Sequence, residues 1–145
     1  MAALTADRDT QELASSHAME HAYVGTDSTQ YFKGGMVCLS TATGKLVKGA
    51  TATTLVAIGR CEENVLTGTS NTRKVRARSG IFRFLNSAAA DQIAADDIGK
   101  ECFIVDDQTV ALTDGTATRS KAGIVYDVDT NGDVWVSMRF PLSLS

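Results

Sequence analysis

From Gly34 onward the chain is cut into short runs, each closed by a turn. "MVCLS", "KLVK", "LVAIGRC", "KVRARSGIFRFL", "CFIVD", "TVAL", "AGIVYDV" and "VWVSM" are rich in β-branched, aliphatic and aromatic residues. The separators "TATG", "GATATT", "EENVLTGTSNT", "DDQ", "TDGTATRS" and "DTNGD" carry the Gly, Asn, Asp, Ser and Thr that close turns. Strand-like runs recurring every ~8–12 residues predict an all-β fold, a small β-barrel or β-sandwich of short antiparallel strands. Only "AADDIG", residues 94–99, reads as a helical turn, with Asp96 or Asp97 as its cap and Gly99 as its stop. Ser79-Gly80 breaks the alternation of the longest run and predicts a bulge or corner.

Two stretches repeat one another. "GMVCLSTATGKLVKGATATTLVAIG" and "GKECFIVDDQTVALTDGTATRSKAGIV" both read strand, turn, strand, Thr-rich link, return strand, with Cys38 aligned on Cys102. Two related β units would then close one core. Residues 1–33 differ in texture: polar, mixed and weakly periodic. The expected organisation is an extended N-terminal arm over 1–33, a β-domain over 34–140 and a tail over 141–145. At 145 residues the chain fits a single domain able to bury a core without staples.

Charge and composition exclude several classes. A net charge of −3 argues against a nucleic-acid partner, because phosphate binding needs a basic face. No apolar run approaches the ~20 residues of a membrane helix, and no secretory leader opens the sequence. Cys38, Cys61 and Cys102 sit in apolar runs with no CxxC, as buried free thiols in a reducing cytoplasm would.

Several motifs invite chemistry. In "YDVDTNGDVWV", Asp127, Asp129, Asn131 and Gly132 have the spacing that opens an EF-hand loop. The twelfth position is Met138, whose thioether cannot supply the closing carboxylate, and both flanks alternate as strands. A β-hairpin is expected, with Asn131-Gly132 as a turn pair of positive φ. "HAMEH" spells an inverted zinc motif, with His17 and His21 as ligands and Glu20 as base. No third ligand or supporting helix accompanies it. "TRKVRARSGIFRF" interleaves Arg76, Arg78 and Arg83 with apolar residues, as a half-buried strand does. The pairs Asp96/Asp97 and Asp106/Asp107 suit turns. With no catalytic set in view, no enzyme activity, metal or cofactor is expected.

"ALTADRDT", "VAIGRCEE", "RSGIFRFLNS", "DDIGKECFIVDDQTVALTDGTATRSKAG" and "VYDVDTNGDVWV" together resemble small capsid decoration (cement) proteins of tailed bacteriophages and prophages. "VAIG" and "SGIFRF" are also similar to lambda-type head decoration proteins. The resemblance implies a structural virion protein, made in the host bacterial cytoplasm and bound to the capsid exterior. It implies a homo-oligomer, a trimer, that contacts the major capsid protein and stabilises the shell. On that reading Leu4, Thr5, Asp7 and Arg8 of the arm contact the capsid. Arg76, Arg78, Arg83 and Trp135 are second candidates, for subunit or capsid contact. Ile81, Phe82, Phe84, Phe103, Val125 and Trp135 are expected in the core or a subunit interface. The rival reading is a β-barrel module that binds nucleic acid or carbohydrate through residues 73–84.

Overall fold

The computed structural model describes residues 2–13, 19–70 and 72–139. Its strands are β1 (Met19–Val24), β2 (Gln30–Tyr31), β3 (Met36–Ser40), β4 (Leu46–Lys48), β5 (Leu55–Cys61) and β6 (Val65–Leu66). They continue as β7 (Lys74–Asn86), β8 (Glu101–Ile104), β9 (Thr109–Ala111), β10 (Lys121–Val128) and β11 (Val134–Met138). Two 3-10 turns, Ala89–Asp91 and Ala95–Asp97, lie between β7 and β8. The second is the turn expected near 94–99: the Asp97 carboxylate accepts the Ala94 N–H at 2.8 Å, and Gly99 follows at φ +93°.

The 13-residue β7 is the spine. Its first half pairs with β1 and β5, and its second half with β11 and β9. The ring β7–β11–β10–β8–β9 closes a five-stranded barrel, and β1, β5, β3 and β4 continue the sheet beyond it. The β7–β9 pairing is parallel. The corner falls where the sequence places it. Val75, Ala77 and Ser79 point inward, then Gly80, Phe82 and Phe84 do, so the inward set changes parity at Ser79-Gly80.

Two cores result. The barrel core gathers Met36, Cys38, Phe82, Phe84, Ile93, Ile104, Val110 and Val136. The other gathers Tyr31, Val37, Leu46, Ile58, Cys61, Val75 and Ala77. Successive residues of β3 serve different cores, because side chains alternate across a strand; β3 is the wall between them. Each fully buried large side chain contributes about 1.5–3 kcal/mol. Of the predicted core residues, Phe82, Phe84 and Val125 are buried, whereas Ile81, Phe103 and Trp135 are half-buried.

The strand order of the internal repeat is visible in the topology, but the two units do not close one core: β8, β9 and β10 line the barrel core, whereas β3, β4 and β5 also build the other. β3 lies between β4 and β5, and β8 lies between β9 and β10. Cys38 and Cys102 sit on the two central strands. All three cysteines are free and buried, and burial pushes the thiols of Cys38 and Cys102 up to about 12 and that of Cys61 to about 11.

Of the region read as an arm over 1–33, the described residues 2–13 and 19–33 are instead built into the domain. Residues 19–24 form β1, Tyr31 is fully buried, and residues 2–13, with bends at Thr5 and Ala6, are bonded to the body at Leu4, Asp7, Arg8 and Glu12. Their polar side chains find partners on the domain, so polarity here marks a docked segment. Gly34 marks a change of texture and not an edge of the folded unit. The tail 141–145 lies outside the described residues.

Candidate functional site: the arm and its slot

Along one side of β7, β5 pairs with residues 77–78 and β9 with residues 85–86. The stretch between them is a slot, and residues 11–13 fill it. Glu12 forms an antiparallel bridge with Phe82, the Leu13 N–H donates to the Ile81 carbonyl at 2.9 Å, and the Arg83 N–H donates to the Gln11 carbonyl at 3.1 Å.

The arm is anchored along its length. The Leu4 N–H donates to Asp107 Oδ1 at 2.8 Å. Asp7 Oδ1 accepts from the Lys33 N–H and from Asn64 Nδ2, each at 2.8 Å. Arg8 Nη1 donates to the Arg83 carbonyl at 2.7 Å, and its guanidinium lies 5.9 Å from the centre of the Phe84 ring. Burial holds the Arg8 pKa below its ordinary value. Thr10 is only 3% exposed, and its hydroxyl donates to the Gly34 carbonyl. Glu12 accepts from Arg78 Nε at 3.0 Å, and Arg60 Nη1 donates to the Thr10 carbonyl at 2.8 Å.

Glycine makes the approach possible. Gly34 has φ +90°, and a Cβ there would lie 1.8 Å from the Arg8 carbonyl oxygen. At Gly80 a Cβ would meet Glu12 Oε2 at 2.8 Å.

The structure therefore brings Leu4, Asp7, Arg8, Arg78 and Arg83 into one arrangement, but as partners within the chain. Thr5 is exposed on the same segment. Arg76 stands apart, paired with Glu20 at 2.9 Å and Glu63 at 3.6 Å. Sequence reasoning missed Gly34, Glu12, Arg60 and Asp107. Asp106 behaves as a turn residue, its carboxylate accepting the Gln108 N–H at 3.0 Å. Asp107 does not: it is 1% exposed and holds the arm, and burial raises its pKa. The "KGG" at 33–35 was the one local signal of the slot.

A second surface lies on the barrel exterior. Ile124 pairs with Ser137, which pairs with Ile81, and Trp135 pairs with Arg83. Val134, Val136 and Met138 are buried, so Trp135 and Ser137 face outward. Tyr126 is 50% and Ile124 42% exposed, while Trp135 and Ile81 are half-buried. The result is a mixed surface across β10, β11 and β7, on which Ile124, Tyr126, Trp135 and Ile81 stand among Ser137, exposed Asp127 (the register partner of Trp135) and ion-paired Arg83.

The calcium look-alike is a hairpin. Arg83 reaches Asp133 at 3.0 Å and Asp129 at 3.4 Å, occupying two of the carboxylates an ion would need. The turn differs from the expected pair of positive φ values. Gly132 is positive at +95° and Asn131 is not, so Thr130-Asn131-Gly132 is a three-residue loop ending in a left-handed residue. The described part of "HAMEH", residues 19–21, opens β1, with Glu20 paired to Arg76 and His21 edge-on to Tyr23; His17 and Ala18 lie outside the described residues. Among the described residues no group of three or more His, Cys, Asp or Glu is placed to hold a metal.

No family model, curated protein or solved structure matches the chain.

Proposed function

We propose that this is a structural virion protein that binds the exterior of a phage capsid as an oligomer, a trimer, and stabilises the shell through the major capsid protein. The observation that carries this reading is the group of outward-facing Ile124, Tyr126, Trp135 and Ile81 on a closed barrel, with Trp135 set between Asp127 and Arg83. Exposed aromatic and aliphatic side chains grouped beside ion-paired arginine suit a protein partner. The segments that resemble decoration proteins include β7, β10 and β11, which build this surface. Trp135 is the residue assigned to that contact, with Arg83 at its border.

Capsid contact by Leu4, Asp7 and Arg8 requires the arm to leave its slot, whereas Thr5 is accessible where it stands. The nucleic-acid reading gains nothing from the geometry. Arg73, Arg76, Arg78 and Arg83 all face carboxylates, which reduces the positive field available to phosphate.

The test is quantitative mass spectrometry of purified virions from the source, followed by rebinding of purified protein to stripped shells. A copy number comparable to that of the major capsid protein, with rebinding weakened by Trp135→Ala, is the expected result. A few copies per virion, or none, overturns the proposal.

A further inference from the structure

We propose that the slot along β7 is an exchangeable strand-acceptor site, and that its second occupant is the arm of another copy of this chain. The arm has the character of a bound peptide. Among the described residues it has no helix or hairpin of its own, and Arg8 to Thr10 at 2.8 Å is the side-chain hydrogen bond it makes within itself. Its other anchors face the body: Asp107 for the Leu4 N–H, Lys33 and Asn64 for Asp7, the Arg83 carbonyl for Arg8, and Arg78 for Glu12. The slot is shaped for this ligand, with glycine at 34 and 80 where the arm comes closest. Emptied, it would leave Arg78 without the Glu12 carboxylate and the buried Asp107 without the Leu4 N–H.

None of these contacts requires that arm and slot belong to one molecule. A second copy carries the same Asp7, Arg8, Thr10 and Glu12 in the same order, so its arm makes the same bonds. Exchange is then close to neutral in contact energy and is decided by effective concentration. Copies held side by side present neighbouring arms at roughly millimolar levels, which compete with the tethered arm. The exchange joins two copies without any new surface. This inference does not rest on the capsid reading, and its test is made in solution.

The experiment uses full-length chains. Gln11→Cys is placed in one chain and Arg83→Cys in another; these residues are opposite each other across the arm–β7 bridge. The chains are mixed at high concentration, equilibrated and mildly oxidised. The native thiols are buried, so the introduced pair reports the contact. A disulfide-linked heterodimer is expected, well above the yield from Gln11→Cys mixed with Ser70→Cys, an exposed position outside the slot. The double variant Gln11→Cys/Arg83→Cys should close within one chain and confirm the register. Leu13→Cys with Ile81→Cys provides a second pair that retains the Arg83 ion pairs. If both double variants close internally while neither mixture yields heterodimer above the control, the exchange proposal is overturned. Failure of both double variants to close would overturn the slot register and the proposal with it.

Discussion

Replacing Gly34 by alanine should release the arm, and the structure sets the size of the effect. A left-handed backbone costs a non-glycine residue about 1–2 kcal/mol. The new Cβ would also lie 1.8 Å from the Arg8 carbonyl oxygen, less than the ~3 Å closest approach, so the arm must retreat. That movement breaks the 2.7 Å bond from the Arg8 N–H to the Lys33 carbonyl and the bond from Thr10 to Gly34. At about 0.5–1.5 kcal/mol each, these bring the total to roughly 2–5 kcal/mol. Gly44 supplies the control, with φ +71° and no atom within 4 Å of its added Cβ. Gly44→Ala should show the backbone term alone. Urea denaturation gives both costs, and trypsin cleavage after Arg8 reports whether the arm has lifted. Gly34→Ala should lose about 1–3 kcal/mol more than Gly44→Ala and be cut faster at Arg8. Equal losses, with Arg8 equally protected in both variants, would refute the reasoning.

Asp107→Asn keeps an oxygen for the Leu4 N–H and removes the titration. Because burial raises the Asp107 pKa, the folded state holds that proton more tightly than the unfolded chain, and stability falls as pH rises through the folded value. Urea midpoints taken from about pH 4 to about pH 7 should therefore fall for the wild type relative to the variant; a relative rise would contradict the assignment. Cys38, Cys61 and Cys102 should resist a thiol-specific reagent in the native state and react once urea unfolds the chain; one fast native thiol would show that burial has been misjudged. Calcium should leave the melting temperature unchanged, since Arg83 already holds Asp129 and Asp133, whereas Gly132→Ala should cost about 1–2 kcal/mol through its positive φ. A calcium-dependent rise in melting temperature would restore the ion-site reading.

What the sequence revealed was local. Strand runs, the Ser79-Gly80 corner, the turn capped by Asp97 and the hairpin before β11 all follow from periodicity and turn chemistry within a few residues. The repeat was legible because both units keep the same order of strand and turn. The slot was not legible, because its contacts join distant parts of the chain: Leu4 and Asp107 are 103 residues apart, and Glu12 and Arg78 are 66 apart. No periodicity encodes such a pairing. Polarity misled for the same reason. Asp7, Arg8 and Glu12 look like residues of a solvated tail until their partners are in place. The parallel β7–β9 contact was equally hidden, since turn signals predict neighbours that run antiparallel.

β3 has a consequence for how this protein tolerates change. Met36 and Cys38 face one core while Val37 and Leu39 face the other, so this strand has no indifferent side. One inserted residue would move each following side chain into the opposite core, and both interiors would be mispacked at once. The two halves share a single partition, so neither can loosen or drift in sequence without its neighbour registering the change.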